Sequence, residues 1–131
     1  MDPGPVRALL DTHAAVFLWE GRVEVFGPGA RAALEGADLL VSPVTRLELG
    51  LLREIGRIAP DPDTIIGGLE ADCGVLLTRD TMSDVIRHAM HLAWTRDPFD
   101  RLLVATALAH DAQLITRNRL IHEHFEGAVW V

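Results

Sequence analysis

Three carboxylates and one amide in this sequence are placed where they could meet and bind a metal ion. They are Asp11, Glu48, Asp100 and Asn118. Asp11 directly follows one predicted buried strand, and Asn118 follows another. In open parallel sheets, ligands bind beyond the carboxyl ends of the strands, because strand-end side chains and helix N-termini converge there. The four residues are therefore candidates for one site at that edge of the sheet.

The types of these side chains indicate a hard divalent cation. Carboxylate and carbonyl oxygens suit Mg²⁺ or Mn²⁺, which take about six oxygen ligands, better than they suit Zn²⁺. The chain has one cysteine, Cys73, and its six histidines show no HExxH or other metal-binding spacing. We interpret His122 and His124 as surface residues. Because substrate phosphates normally complete the shell of a protein-bound Mg²⁺, the set favours metal-assisted hydrolysis of a phosphodiester.

The segment TRDPFDRLLVATA, residues 95–107, contains two aspartates with two possible interpretations. Asp97 suits an N-cap and Pro98 suits the first helical position, and an acid three residues after the cap completes a capping box. Asp97 and Asp100 could equally form half of an acidic active site. Both interpretations predict the same first helical turn.

The position of Asp100 on its predicted helix indicates that Asp97 and Asp100 have different roles. Asp100 shares a helical stripe with Val104, Ala107 and Leu108. The pattern predicts that Asp100 points toward the protein interior. We therefore expect a functional role for Asp100 and a structural role for Asp97, which would start the helix and support the site without binding the metal.

Asp11 and Glu48 also have structural explanations. Asp11 could simply cap a helix that begins at Thr12. Glu48 could be a solvated helix acid, but Leu47 and Leu49 flank it. A carboxylate near a buried face is uncommon unless it is paired or bound to a metal.

Short apolar runs alternate with segments of helical periodicity along the whole chain, which is typical of a parallel α/β sheet. The predicted strands cover residues 6–10, 39–41, 75–77, 113–115 and 128–131. The predicted helices cover residues 12–19, 30–34, 43–56, 64–69 with Asp63 as the cap, 82–92, 98–110 and a short segment after Asn118. Length and a hydrophobic content of 49% predict a single domain, residues 1–131.

Composition limits the possible function classes. The net charge of −7 weakly opposes a nucleic-acid partner, but acids gathered around a metal ion would contribute to that charge without repelling a ligand. All twelve basic residues are arginine. Without a lysine, response-regulator receiver domains and haloacid-dehalogenase-type phosphatases are set aside, and the P-loop pattern GxxxxGK[ST] is absent.

The sequence also predicts a location. No apolar run approaches the roughly 18 residues that a membrane span needs, and the opening MDPGPVRALLD is unlike a secretory signal. A single cysteine fits a reducing compartment. We therefore expect a cytoplasmic protein that does not bind a membrane.

Four segments, in this order and at these distances, resemble the PIN-domain family and, within it, the VapC-type toxins of bacterial toxin–antitoxin pairs. They are LLDTHAAVFLW, SPVTRLELG, TRDPFDRLLVATALAHDAQLITRN and AVWV. The resemblance spans almost the whole chain, although residues 53–93 contribute little to it. It implies a three-layer α/β/α sandwich with a central parallel β-sheet, Mg²⁺- or Mn²⁺-dependent endoribonuclease activity, a homodimer, and inhibition by a small antitoxin protein.

The same resemblance implies roles for individual residues. Asp11, Glu48 and Asp100 match the first three acids of the family and would be the metal ligands. Thr12 matches a hydroxyl position that assists the first acid, and we expect it to help bind the substrate. Asn118 occupies the fourth acidic position, where an aspartate is common, and its lack of charge weakens the case for a second metal ion.

Three arginines near these acids are candidates for gripping the phosphates of RNA, namely Arg101, Arg117 and Arg119. Arg101 could instead pair with Asp97 at helical i,i+4 spacing.

The leading hypothesis is a metal-dependent endoribonuclease that acts as a toxin. The alternative is a PIN-like binding module with weakened chemistry, motivated by Asn118. Exposed apolar residues in the helices at 44–55 and 65–69 are the candidates for a dimer face.

Overall fold

The computed structural model describes residues 5–131, which form an α/β fold around one parallel sheet. Its strands are β1 (Arg7–Leu10), β2 (Asp38–Val41), β3 (Leu76–Leu77), β4 (Gln113–Ile115) and β5 (Ala128–Val129). Their order across the sheet is β3-β2-β1-β4-β5, and each neighbouring pair is parallel. Each predicted strand is confirmed, with small differences at the ends.

Helices connect the strands and cover both faces of the sheet. They are α1 (Thr12–Trp19), α2 (Pro28–Gly36), α3 (Pro43–Glu54), α4 (Pro62–Cys73), α5 (Met82–Ala89), α6 (Pro98–Ala109) and α7 (Arg119–His124). Helices α1 to α4 contribute to the core on one face, and α5 to α7 contribute to the core on the other. The three-layer α/β/α sandwich is thereby confirmed. No helix described in residues 5–131 is both long enough and apolar enough to cross a membrane.

Strand β1 shows why the strands appear in the sequence as continuous apolar runs and not as alternating apolar and polar residues. Ala8 and Leu10 point into the core formed with α1 to α4, whereas Leu9 points into the core formed with α5 to α7. All three side chains are fully buried. A parallel sheet that is covered by helices on both faces needs apolar side chains at consecutive positions.

The strand order reverses between β1 and β4, which are neighbours in the sheet but not in the sequence. Strands β2 and β3 extend the sheet to one side of β1, and β4 and β5 extend it to the other. Ligand sites in open α/β sheets form beyond the carboxyl ends of the strands at such a switch point. Asp11 follows β1 and Asn118 follows β4, so both residues lie at this position.

The start of α4 corrects one predicted cap. The N-cap is Asp61, whose side chain accepts a 2.8 Å hydrogen bond from the backbone N–H of Asp63. Pro62 takes the first helical position, where its fixed φ is favourable. Asp63 therefore lies inside the first turn, and its carboxylate pairs with Arg46 at 2.7 Å.

Two helices end earlier than their periodicity predicted. Helix α3 ends at Glu54, and Gly56 adopts a left-handed conformation with φ of +77°, which stops the helix. Helix α5 ends at Ala89 rather than at Leu92, because the chain turns there and the N–H of Leu92 donates to the carbonyl of Ala89.

Exposure of the helical apolar residues differs in part from the prediction. Leu47 and Leu51 on α3 and Ile55 at its C-cap are exposed, as expected for a contact surface. On α4, by contrast, Ile65, Ile66 and Leu69 are buried, so the prediction of an exposed apolar face there is wrong. These side chains are needed to cover the sheet.

The stripe on α6 is also only partly as predicted. Val104 and Ala107 are buried, whereas Leu108 is 41% exposed. Leu108 is one residue from the end of the helix, where the stripe has already turned away from the sheet.

The C-terminal segment packs tightly against the turn before α2. A Cβ atom on Gly27 would lie 2.4 Å from the backbone oxygen of Trp130, so this close approach requires glycine. The N–H of Ala30 donates to the same oxygen at 2.9 Å. The indole of Trp130 then packs on Phe26 with ring centroids 5.2 Å apart. This packing fixes the position of Trp130 next to the site described below.

Candidate active site

A cleft of about 350 Å³ opens at the carboxyl edge of the sheet, where β1 and β4 lie side by side. The predicted residues that line it are Asp11, Thr12, Glu48, Asp97, Asp100, Arg117 and Asn118. Arg101 and Arg119 are not part of the lining. The fold thus brings together residues that are more than a hundred positions apart in the sequence.

A larger groove, of about 500 Å³, lies between α3 and α4. Two of its acids are already paired, since Asp63 contacts Arg46 and Asp61 contacts Arg53. Within residues 5–131, no ion pair involves Asp11, Glu48 or Asp100, so we consider the cleft at the sheet edge to be the candidate active site.

Asp11 combines the two roles that its sequence position left open. Its side chain accepts a 2.7 Å hydrogen bond from the backbone N–H of Ala14 and so caps α1, while the same residue lines the cleft. Burial raises the pKa of Asp11 above its usual value. Hydrogen bonds from Thr116 and Ala14 oppose this shift, as do the charges of His13 and Arg117.

Glu48 is held by Thr12. The Thr12 hydroxyl donates a 2.5 Å hydrogen bond to Glu48 Oε1 and lies 3.4 Å from the hydroxyl of Thr45. Thr12 is 1% exposed and Thr45 is fully buried. The hydroxyl that we expected near the substrate is therefore directed at Glu48, and its effect on this cleft is to orient that carboxylate.

Asp97 caps α6, as the sequence predicted. Its Oδ1 accepts hydrogen bonds from the backbone N–H groups of Phe99 at 2.9 Å and Asp100 at 3.1 Å. The Asp100 side chain is half-buried and lines the cleft. Burial, followed by the negative charges of Asp97, Glu48 and Asp11, raises the pKa of Asp100 to about 6.

Asn118 has an orientation that sequence alone does not reveal. Its side-chain oxygen accepts a 3.1 Å hydrogen bond from the N–H of Ile121 and caps α7. Its side-chain NH₂ faces Asp100 and donates to Oδ2 at 3.4 Å. The amide oxygen is therefore engaged with the helix, and Asn118 presents a donor, not a ligand atom, to Asp100.

The donor set of the cleft fits a hard divalent cation that retains other ligands. Among residues 5–131, no group of three or more His, Cys, Asp or Glu side chains is already arranged to hold a metal ion by itself. However, Asp11, Glu48 and Asp100 share the cleft, and the pKa of Asp100 is raised first by burial and then by the negative charges of its neighbours, Glu48 and Asp11 among them. A cation would relieve the repulsion between these charges. Mg²⁺ commonly binds through few carboxylates and keeps waters or phosphates in its shell.

Arg117 is the predicted arginine that reaches the cleft. Its guanidinium lies over the ring of Phe17 at 5.1 Å and over the ring of Trp130 at 5.9 Å. Two aromatic faces therefore hold the cation in place by cation–π contact.

The other two arginines lie elsewhere. Arg101 donates from Nε to the carbonyl of Thr95 at 2.6 Å. Within the part of the chain that the structure describes, Arg101 makes no ion pair with Asp97, so the alternative i,i+4 pairing is not formed. Arg119 is exposed at the start of α7.

Two histidines near the cleft were misjudged or missed from the sequence. His13 lines the cleft, and its position two residues after Asp11 is the signal that could have identified it. His122 is only partly exposed, and its Nε2 lies 2.6 Å from the carbonyl oxygen of Thr116. The prediction of a simple surface residue is therefore wrong for His122, whereas His124 is exposed as expected.

Comparison with known proteins decides the family. The model of the PIN domain matches residues 8–124, which is most of the chain and includes every residue of the cleft. The chain belongs to the PIN-domain family. This membership confirms the resemblance that LLDTH and DPFDRLLVATA suggested.

Individual known proteins are similar to this chain along nearly their full length. Ribonuclease VapC22 of Mycobacterium tuberculosis is 31% identical over 119 residues, which cover 88% of this chain and 90% of that protein. A chain of a toxin–antitoxin complex from Klebsiella pneumoniae superposes with a TM-score of 0.61 at 19% identity, over 93% of this chain and 95% of its own.

A further PIN-like fold comes from VapBC2 of Rickettsia felis bound to a DNA fragment from its promoter. The match has a TM-score of 0.62 at 12% identity and covers 96% of this chain and 100% of that chain. At these identities, the two structural matches support the fold of this PIN domain.

Proposed function

We propose that this PIN domain is an Mg²⁺- or Mn²⁺-dependent endoribonuclease that acts as the toxin of a toxin–antitoxin pair. The observation that carries the proposal is the convergence of Asp11, Glu48 and Asp100 on one cleft at the switch point of the sheet. The similarity to a ribonuclease of the same family supports the reaction. The similarity to a chain from a toxin–antitoxin complex supports the biological role.

In this proposal, Asp11, Glu48 and Asp100 hold the cation. A divalent cation bound there supplies Lewis-acid activation of water and neutralises charge on the phosphate in the transition state. Thr12 keeps Glu48 oriented, and Asn118 donates to Asp100. Asp97 maintains the first turn of α6, which carries Asp100.

Arg117 is the residue that we assign to the phosphate backbone of the RNA. It lies at the cleft and is held by Phe17 and Trp130, so little side-chain entropy is lost when it binds a phosphate. Arg119 is exposed at the start of α7, next to Asn118, and would contact a phosphate farther from the cleavage point. Arg101 acts indirectly in this scheme, because its guanidinium anchors the loop at Thr95 before α6.

The proposal includes a cytoplasmic location, where the RNA substrate is found, and a small antitoxin that covers the cleft. It also includes a homodimer that uses the exposed stripe formed by Leu47 and Leu51 on α3 and Ile55 at its C-cap. These residues recur at i, i+4 and i+8, so they form one line along the helix. Light scattering after size-exclusion chromatography of the Leu51→Glu variant tests this face, since a charge there should yield a monomer.

Growth after induction in a bacterial host tests the toxin role. Wild type should arrest growth and degrade cellular RNA, whereas Asp11→Asn should do neither. Asparagine at this position can still cap α1, so the variant removes charge while the helix start is retained. Equal arrest by wild type and Asp11→Asn would contradict the proposal.

A second candidate function is a PIN-like binding module with weakened chemistry. The observation that favours it is the orientation of Asn118, which places a neutral amide donor against Asp100 and has its oxygen occupied by α7. Calorimetric titration with Mn²⁺ separates the two functions. Binding that is lost in Asp100→Ala supports the enzyme, and absence of binding to wild type supports the module.

A further inference from the structure

Two aromatic rings are stacked on each other, one in the loop before α6 and the other at the end of α7. The indole of Trp94 and the imidazole of His124 are almost parallel, with an interplanar angle of 8° and ring centroids 5.0 Å apart. Trp94 is partly buried against the core formed with α5 to α7, and His124 is exposed. Trp94 is thus held against the core, and His124 is the more exposed member of the stack.

The elements that carry this pair also form the cleft. Trp94 precedes Thr95, whose hydroxyl accepts a hydrogen bond from the N–H of Asp97. His124 is the last residue of α7, the helix that Asn118 caps. The 6 residues of α7 correspond to a length of about 9 Å. The stack is therefore within reach of a nucleotide close to one whose phosphate occupies the cleft.

The charges around the stack permit a nucleic-acid strand to approach. Two exposed arginines lie nearby in the sequence. Arg96 is two residues after Trp94, and Arg119 is the first residue of α7, which ends at His124. For the residues that the structure describes, neither arginine has a carboxylate within 4.0 Å. Glu123 and Glu126 are exposed on either side of His124 in the sequence and oppose them, so attraction by charge alone is weak here and stacking must supply the binding energy.

We propose that the Trp94–His124 stack is a subsite for one unpaired base of the RNA substrate, which packs on the exposed face of His124. Proteins that bind single-stranded RNA use aromatic side chains as platforms, because each base offers a π-face and stacking does not require a particular sequence. The inference rests on the proposed ribonuclease function. It adds a position beside the cleavage point at which a base must be unstacked, and so it selects single-stranded regions.

A binding assay with abasic oligonucleotides tests the subsite. The probe is a fluorescein-labelled oligoadenylate of about eight nucleotides, a length within the range of single-strand binding sites. It is used intact and in a series in which each nucleotide in turn lacks its base. Affinity is measured by fluorescence anisotropy with Ca²⁺ in place of Mn²⁺, and a gel at the end of each titration shows that the RNA is uncleaved.

Three variants are compared with wild type. His124→Ala removes the outer ring, His124→Phe restores a ring, and His91→Ala changes an exposed histidine outside α7 as a matched control. We expect His124→Ala to weaken binding by about fivefold or more, the lower limit for stacking of one base on an aromatic side chain. His124→Phe and His91→Ala should bind as tightly as wild type.

The abasic series distinguishes direct stacking from a structural effect. At one nucleotide position of the probe, removal of the base should abolish the difference in affinity between wild type and His124→Ala. The subsite is overturned if His124→Ala binds the intact probe as tightly as wild type, or if the loss is the same at each abasic position. Absence of binding to wild type also overturns it.

Cleavage of the same probe by wild type with Mn²⁺ is the separate test of the proposed function. If wild type cleaves the probe but His124 has no effect on binding, the ribonuclease function is supported and the subsite is contradicted. If binding depends on His124 but the probe is not cleaved, the ribonuclease function is contradicted and the base-binding role of His124 is supported.

Discussion

The Thr12 hydroxyl lies 2.5 Å from Glu48 Oε1 and joins the residue next to Asp11 to a carboxylate on α3. Because Thr12 is buried, Thr12→Val would leave Glu48 without this donor in a partly desolvated cleft. A hydrogen bond to a charged group contributes about 1.5–3 kcal/mol. We expect Thr12→Val to lower kcat/KM for RNA by about tenfold or more, which corresponds to ~1.4 kcal/mol.

Thr12→Ser is the matched control, since it retains the hydroxyl and removes one methyl group. It should keep most of the activity. If Val and Ser variants lose activity equally while both remain folded by circular dichroism, the bond to Glu48 does not matter for the reaction.

Asn118 offers a test of the charge balance in the cleft. Asn118→Asp keeps the cap of α7, because aspartate caps as well as asparagine, but it directs a negative charge at Asp100. The metal-free variant should therefore melt below wild type, and Mn²⁺ should raise its melting temperature by more than it raises that of wild type. Thermal melts in EDTA and in Mn²⁺ measure both effects.

Asn118→Ala is the comparison for that experiment. It should lose about 1 kcal/mol of stability with the cap, and its response to Mn²⁺ should not exceed that of wild type. A smaller Mn²⁺ stabilisation in Asn118→Asp than in wild type would show that this position does not face the cation.

The raised pKa of Asp100 predicts the pH dependence of the metal-free protein. The folded form holds a proton with a pKa of about 6, whereas the ordinary value is 3.8. The folded state therefore binds more protons between these values, and the stability contributed by Asp100 decreases as pH rises through this window. Asp11 shifts in the same direction, so wild type must be compared with Asp100→Asn.

Chemical denaturation in EDTA at several pH values between about 4 and 7 measures this difference. Asp100→Asn should show a shallower loss of stability with rising pH than wild type. Identical pH profiles for the two proteins would mean that Asp100 is not the group that takes up the proton.

The aromatic contacts of Arg117 predict a role that lysine cannot fully replace. Arg117→Ala should lower kcat/KM for RNA and reduce the slope of affinity against salt by about one counterion. Arg117→Lys should restore the salt dependence and only part of the rate, because an ammonium group lacks the planar bidentate geometry. Arg119→Ala should lower kcat/KM by less than Arg117→Ala does. Equal losses in the two variants would contradict the assignment of Arg117 to the phosphate at the cleft.

Most of the fold and most of the residues that line the cleft were predictable from the sequence. Periodicity located each strand and helix, and the position of Asp11 and Asn118 after strands placed them at the same edge of the sheet. The Asp-Pro pair at 97 and 98 located the start of α6. The same pattern occurs at Asp61 and Pro62, where Asp61 is the cap and the prediction of Asp63 is wrong.

Side-chain orientation was not predictable, because it depends on contacts between distant parts of the chain. The bond between Thr12 and Glu48 spans 36 positions. Arg117 is held by Phe17 and Trp130 from opposite ends of the sequence. The amide of Asn118 is turned by the start of α7, and only the folded chain reveals which of its two atoms faces Asp100.

Cleavage of purified tRNA and rRNA with Mn²⁺ is the most direct test of the central claim. Wild type, Asp11→Asn, Asp100→Asn and Asp63→Asn are compared at equal concentration, with Asp63→Asn as an exposed acid outside the cleft. We expect discrete fragments from wild type and Asp63→Asn, none in EDTA, and none from Asp11→Asn or Asp100→Asn. Cleavage by either of the latter variants at the wild-type rate, or no cleavage by wild type, would contradict this claim.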